Sequence, residues 1–148
     1  MISGVELNGR VAEKIALDMQ RLPEEVRKAI RPELRAIGNA VAQDAKVRSS
    51  WSGRIPGTIR VHASFRLDRE GVIVIAGGKA APHARLYESP SGHAYFRHPV
   101  FKTAKRNKWV SQQTRPFLFP AALAREAATT EAVLTALSAA ASAVGFGG

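Results

Sequence analysis

The apolar residues of this chain repeat with a helical period, then with the period of a strand, and then with a helical period again. From Val26 to Ala45 they recur every three or four residues, which marks one apolar face of a helix. From Thr58 to Leu67 they alternate with polar residues, as in a half-buried strand. Helices packed on one face of a small sheet would bury both patterns. The sequence therefore predicts an α+β fold.

The N-terminal third is predicted to be helical. Its first apolar stripe comprises Leu7, Val11, Ile15, Met19 and Leu22. Pro23 then either breaks this helix or begins the next one. Pro32 lies inside the second stripe, so we expect a kink or a restart near Arg31. This helical region should end at about 48–50, where Ser, Trp and Gly crowd together.

The middle of the chain predicts a small, mainly antiparallel sheet followed by a long loop. Residues 68–71 form a turn, and the β-branched run 72–76 is predicted to be a second strand, covered on both faces. Residues 83–88 form either a weaker third strand or a short helical turn. Residues 89–115 show neither period, so we expect an extended, irregular loop, and long loops in small domains are usually functional. The alanine-rich segment from about Pro120 to Val144 predicts one long helix.

These segments predict a single domain over residues 1–148, since this length is enough for one core. It is divided into helices (1–50), the sheet (58–88), an extended interaction loop (89–119) and the C-terminal helix (120–144).

The chain has no cysteine, so disulfides contribute nothing and a metal site would need His and carboxylates. The longest apolar run, 117–124, is much shorter than the roughly 20 residues of a membrane span. We therefore expect no membrane partner.

The net charge of +10 has two interpretations: it keeps the protein soluble, or it serves an anionic partner, which would be nucleic acid or an acidic protein surface. The stretches 45–67 and 89–125 contain no acidic residue, so the excess lies in the middle of the chain. On the predicted strand, Arg60, His62, Ser64 and Arg66 would share one face and could meet phosphates. A small basic nucleic-acid-binding protein is therefore one possible interpretation.

Catalytic motifs are weak throughout the sequence. His93 and His98 have no nearby carboxylate, whereas a zinc site normally takes three or four ligands. Gly77-Gly78-Lys79 lacks the first glycine and the hydroxyl of a phosphate-binding loop. A nuclease site on His98 and Asn107 would lack the acidic ligands that hold Mg²⁺. We predict a protein that is not an enzyme and uses no cofactor.

Aromatic, proline and basic residues are concentrated between residues 95 and 121. Aromatic residues in such a setting are usually buried in the core or at a subunit interface, where aromatics and Arg are enriched. Stacking on nucleic-acid bases is the alternative. The candidate subunit or partner interface consists of Tyr95, Phe96, Arg97, His98, Phe101, Trp109, Arg115, Phe117 and Phe119.

Three stretches, taken in order, resemble the HK-ninety-seven gene-product-ten-like family of tailed phages. They are the Ser/Gly/Pro turn at 48–59, the segment Pro82-His83-Ala84-Arg85-Leu86-Tyr87-Glu88, and the stretch from Phe96 to Ala121 that leads into the last helix. The resemblance covers roughly residues 30–137 and rests on their order and spacing. The chain departs from the family just after Glu88, where Ser89-Pro90-Ser91-Gly92 stands, and in a longer basic insertion at 102–108.

This resemblance implies a structural virion protein made in the bacterial host cytoplasm and located at the head–tail junction or upper tail. It would be a neck, tail-completion or tail-terminator component that forms a ring, expected to be hexameric. Its neighbours would be head-closure (stopper), tail-terminator and tail-tube proteins, and the 95–119 segment would wrap onto an adjacent subunit. The residues that could face DNA in the channel or an acidic partner are Arg60, Arg66, Lys102, Lys105, Arg106 and Lys108.

Overall fold

A computed structural model describes residues 23–66, 71–89, 92–100, 108–143 and 145. The predicted first helical stripe and the turn at 68–71, apart from Gly71, lie outside these residues. In chain order the elements are α1 (Glu24–Arg48), α2 (Ile55–Thr58), β1 (Arg60–Ser64), β2 (Gly71–Ile75), α3 (Ala84–Glu88), β3 (Tyr95–Pro99), β4 (Trp109–Gln113), α4 (Leu118–Ala124) and α5 (Glu126–Ala143). Helices combined with a small antiparallel β content confirm the predicted α+β class.

Helix α1 begins after Pro23, whose carbonyl oxygen accepts a hydrogen bond from the Arg27 N–H at 3.1 Å. Glutamates in its first turn and basic residues in its last turn both complement the helix dipole. The helix runs through Pro32 and does not restart near Arg31. Since buried residues on one face flank the proline, from Val26 to Ala45, tertiary packing holds the helix together across the missing hydrogen bond.

The strands form two separate antiparallel hairpins, β1–β2 and β3–β4. In the first hairpin Arg60 lies opposite Ile75 and Ser64 lies opposite Gly71. The second hairpin occupies the region for which we predicted an irregular loop, and residues 84–88 are helical, which was one of the two alternatives. Hydropathy does not show a period of two in β3 and β4, because aromatic residues occupy both faces of the hairpin.

The main core lies between α1, α2, α3 and α4, and small side chains dominate it. Phe117, only 1% exposed, is its largest residue. The other members are Val41, Ala42, Ala45, Ile55, Ile59, Ala81, Ala84 and Ala121. The C-terminal segment is two helices separated at Arg125, where we predicted one. Helix propensity is high on both sides of Arg125, so no local signal marks this break.

Helix α1 crosses the inner face of the β1–β2 hairpin at Gly38. A Cβ atom at Gly38 would lie 2.5 Å from Val72 Cγ1 and 3.1 Å from Val61 Cγ1. The outer face of the hairpin is open, since Ile73 is 60% exposed, whereas we predicted cover on both faces of this strand. The hairpin is therefore held from one side, through a contact that only glycine permits.

We expect Gly38→Ala to lower the free energy of unfolding by about 1 kcal/mol. Alanine improves helix propensity by about 1 kcal/mol, but overpacking against two β-branched side chains costs about 1–3 kcal/mol. Urea unfolding measures this change, and Gly38→Val should destabilise further. Gly53→Ala is the matched control, because nothing lies within 4 Å of its added Cβ. A Gly38→Ala protein as stable as the wild type would contradict the close approach.

Candidate functional site at the β3–β4 hairpin

The carboxylate of Glu88 caps the first turn of α4. Its Oε2 accepts hydrogen bonds from the backbone N–H groups of Phe117 and Leu118, each at 3.0 Å, and its Oε1 accepts one from Phe119 at 2.6 Å. The first amides of a helix have no partner within the helix, and its N-terminus attracts negative charge. No side chain of α4 itself supplies this cap. A residue 29–31 positions earlier in the chain therefore does so.

The base of the β3–β4 hairpin is tied to the end of α3 by further hydrogen bonds. The Arg115 N–H donates to the Tyr87 carbonyl at 3.0 Å. Ser89 Oγ, at the C-terminal end of α3, donates to the His93 carbonyl at 2.7 Å. Within the hairpin, the Thr114 N–H donates to the Ala94 carbonyl at 2.9 Å and extends the strand pairing to its base. The left-handed backbone of Ser89, with φ of 49°, turns the chain out of α3 toward these contacts. The hairpin and α4 are thus both anchored on α3.

The ring of Tyr87 is the centre of an aromatic group, which we call the Tyr87 cluster. Ring centroids lie 4.6 Å away for Trp51, 5.1 Å for Phe96 and 5.9 Å for His83. The Phe96 and His83 rings meet Tyr87 edge-on, which is a favourable arrangement for aromatic pairs. His98 joins the group through Phe96, at 6.0 Å. These rings pack the hairpin against α3 and the segment after α1.

Polar groups complete the Tyr87 cluster. Gln112 donates its side-chain N–H to the Tyr87 hydroxyl, and its Oε1 lies 3.0 Å from His98 Nε2. The Arg115 guanidinium lies 5.4 Å from the centroid of Trp51, within the range of a cation–π contact. Because these groups partner one another, they hold the hairpin in place.

The hairpin therefore has two different faces. Its inner face, formed by Phe96, His98, Val110 and Gln112, is partly buried toward α3. Its outer face carries Tyr95, Arg97 and Trp109. Tyr95 is 61% exposed and Trp109 is 53% exposed. The aromatic segment packs on its own chain through one face and leaves an aromatic and basic face uncovered.

The predicted interface residues divide among these environments. Phe117 is a core residue of its own chain, and Phe96 and His98 belong to the Tyr87 cluster. Arg115 lies over Trp51, and Phe119 is partly exposed beside the Glu88 cap. Phe101, Lys102, Lys105 and Arg106 lie outside the described residues.

The predicted channel residues are not on one surface feature. Arg60 and His62 are exposed on the outer face of β1, beside Ile73 and Ile75. Arg66 is exposed but follows the end of β1, so it does not extend the stripe as predicted. Lys108 is exposed directly before β4, where its carbonyl accepts a hydrogen bond from the Val100 N–H at 2.9 Å.

Sequence reasoning did not single out Glu88, Trp51 or Gln112 as organising residues. One signal for Glu88 was present, because it is the last carboxylate before a long acid-free stretch, 89–125. An isolated acid at the border of such a stretch is a candidate partner for backbone amides. Trp51 and Gln112 have no comparable local signal, since their partners lie far away in the sequence.

Within the described ranges, no three His, Asp or Glu residues are grouped so that they could hold a metal ion. Among the described helices, none has the length and apolar character that crossing a membrane requires. No protein-family model matches the chain, and neither the curated proteins nor the solved structures contain a significant match. The geometry of the site is that of a hairpin anchored on its inner face and exposed on its outer face.

We expect Glu88→Ala to lower the free energy of unfolding by about 2–3 kcal/mol, since it removes a charged helix cap and leaves three amides without their acceptor. Glu88→Gln should cost about half as much, because an amide oxygen still accepts hydrogen bonds without the charge. Urea unfolding measures both changes, and faster amide hydrogen exchange at residues 117–119 should accompany them. Glu33→Gln, on an exposed position of α1, is the control. Unchanged stability and exchange in Glu88→Ala would refute the anchoring role.

Proposed function

We propose that this protein is a structural virion protein of a tailed bacteriophage, located at the head–tail junction as a neck, tail-completion or tail-terminator component. The sequence resemblance over residues 30–137 suggests this role. The observation that supports it most directly is the β3–β4 hairpin, which is firmly anchored on one face and displays Tyr95, Arg97 and Trp109 on the other. Exposed aromatic residues next to Arg are the usual composition of a protein interface.

The polar groups around the hairpin favour an assembly role over catalysis. Both carboxylate oxygens of Glu88 accept backbone hydrogen bonds, and Tyr87, Gln112 and His98 are engaged with one another. A general base or acid must instead be free to reach a proton of the substrate. These polar side chains therefore hold the hairpin in place, so that its outer face is presented to a partner.

In this proposal the subunits form a ring, expected to be hexameric, around the tail axis. A closed ring is built from a heterologous interface, in which each subunit uses one surface toward the previous copy and another toward the next. Head-closure, tail-terminator and tail-tube proteins would stack above and below. The exposed Arg60 and Lys108 would then face either the DNA in the channel or an acidic neighbouring ring.

A small basic nucleic-acid-binding protein is the alternative function. The exposed rings of Tyr95 and Trp109 flank Arg97 on one sheet face, and such a face can stack on bases and contact phosphates. The net charge of +10 is compatible with this alternative as well. The two functions differ in whether the protein self-associates in the absence of nucleic acid.

We expect Trp109→Ala to weaken self-association about 30-fold, the typical cost of removing a central aromatic residue from an interface. Sedimentation velocity over a range of protein concentrations measures this change, and circular dichroism should show an unchanged fold. Val47→Ala is the control, since Val47 is an exposed apolar residue of α1. A Trp109→Ala protein that assembles like the wild type would remove this residue from the interface.

A salt titration distinguishes the alternative function. A true DNA binder should lose affinity for duplex DNA steeply as salt rises, with a log–log slope of about −0.9 for each phosphate contacted. If the protein instead forms rings in the absence of DNA and binds duplex DNA only weakly at physiological salt, the neck function is supported. Tight, salt-dependent DNA binding by a monomer would support the alternative.

A further inference from the structure

A second exposed apolar surface lies on α4 and α5. A shallow groove of about 670 Å³ runs along these helices, lined by Leu123, Glu126, Ala127, Thr130, Glu131, Leu134 and Thr135. Leu123 is 53% exposed and Leu134 is 62% exposed, whereas Ala140, on another part of α5, is buried. On α5 the lining residues form adjacent pairs (126–127, 130–131 and 134–135) that repeat every four residues, so they share one helical face. We call this surface the α4–α5 groove.

The charge of the α4–α5 groove is opposite to that of the chain as a whole. Among the described residues that line it, the charged ones are Glu126 and Glu131, and the sequence of α5 contains no Lys or Arg. The outer face of the β3–β4 hairpin has the reverse character. It carries Arg97 between two exposed aromatic rings and lies within an acid-free stretch.

We propose that the outer face of the β3–β4 hairpin of one copy docks into the α4–α5 groove of a second copy. The rings of Tyr95 and Trp109 would cover Leu123 and Leu134, and Arg97 would pair with Glu131. This inference rests on the proposed ring-forming function and identifies the two surfaces that the ring joins. Tyr95, Trp109, Leu123 and Leu134 each stay more than half exposed, so the described part of the chain covers neither surface.

Electrostatics favours the joining of unlike surfaces. If two grooves faced each other, glutamates would oppose glutamates, and two facing hairpins would bring the Arg97 residues of both copies together. Like charges placed opposite each other at an interface oppose association. The hairpin-to-groove contact pairs opposite charges and leaves one free groove and one free hairpin at the two ends. Repetition of this contact produces a ring when its rotation closes.

Cross-linking tests the contact directly, because the chain has no native cysteine. Ser111 lies opposite Arg97 on the outer face of the hairpin, and Thr130 lines the groove. Copies with Ser111→Cys and copies with Thr130→Cys, bearing different affinity tags, are mixed and treated with a short bismaleimide. We expect the two-tag product to exceed both same-tag products by about tenfold. Predominance of either same-tag product would overturn the proposal.

A charge exchange provides an independent test that does not depend on cross-linking geometry. Arg97→Glu and Glu131→Arg should each weaken self-association roughly three- to tenfold, and the double variant should recover most of the loss. Glu33→Arg on α1 is the matched control for an exposed glutamate. If the double variant loses as much self-association affinity as the two single variants combined, Arg97 and Glu131 are not partners and the proposed register is wrong.

The outcomes for the wild-type protein separate this inference from the proposed function. If rings form in sedimentation but the two-tag product is absent, the docking surfaces are wrong and the ring proposal stands. If the wild-type chain stays monomeric at high concentration, both are wrong. The Trp51→Phe variant leaves Trp109 as the one tryptophan, so its fluorescence reports on the hairpin face. If the protein stays monomeric and duplex or single-stranded DNA quenches this fluorescence, nucleic acid occupies the hairpin face instead.

Discussion

The carboxylate of Glu88 is the contact on which the rest of this structure depends. It joins the end of α3 to three amides at the start of α4, across 29–31 residues of sequence. That cap fixes where α4 begins and so directs Phe117 into the core. The neighbouring residue on α3, Tyr87, is held by the same arrangement and becomes the centre on which the β3–β4 hairpin packs. Core and hairpin are therefore coupled at the end of α3, through Glu88 and Tyr87.

Among the described residues each of the two sheets has two strands, and a two-stranded sheet has little stability of its own. Each hairpin is consequently stabilised by what packs on its inner face: α1 with Gly38 for β1–β2, and the Tyr87 cluster for β3–β4. The outer faces of both hairpins are left exposed. The open face of β3–β4 is already ordered before it meets a partner, and preorganisation lowers the entropic cost of binding. These are suitable properties for a part of a larger assembly.

The proposed assembly uses the uneven distribution of charge along the chain. The acid-free stretch 89–125 contains the hairpin, and the helix that follows carries glutamates without basic residues. A strongly basic protein would otherwise repel its own copies. Placing an acidic, leucine-containing groove on α4 and α5 gives a second copy a complementary surface to dock on.

The α+β class, helix α1 and the β1–β2 hairpin follow from the sequence alone, because hydrophobic period depends only on neighbours within a few residues. Only the tertiary structure decided the β3–β4 hairpin, the break at Arg125, and which aromatic residues are core and which are exposed. Phe117 and Trp109 look alike in the sequence, yet Phe117 is buried and Trp109 is open. The reason is physical: the Glu88 cap and the Tyr87 cluster join residues tens of positions apart, and such contacts produce no periodic pattern in the sequence.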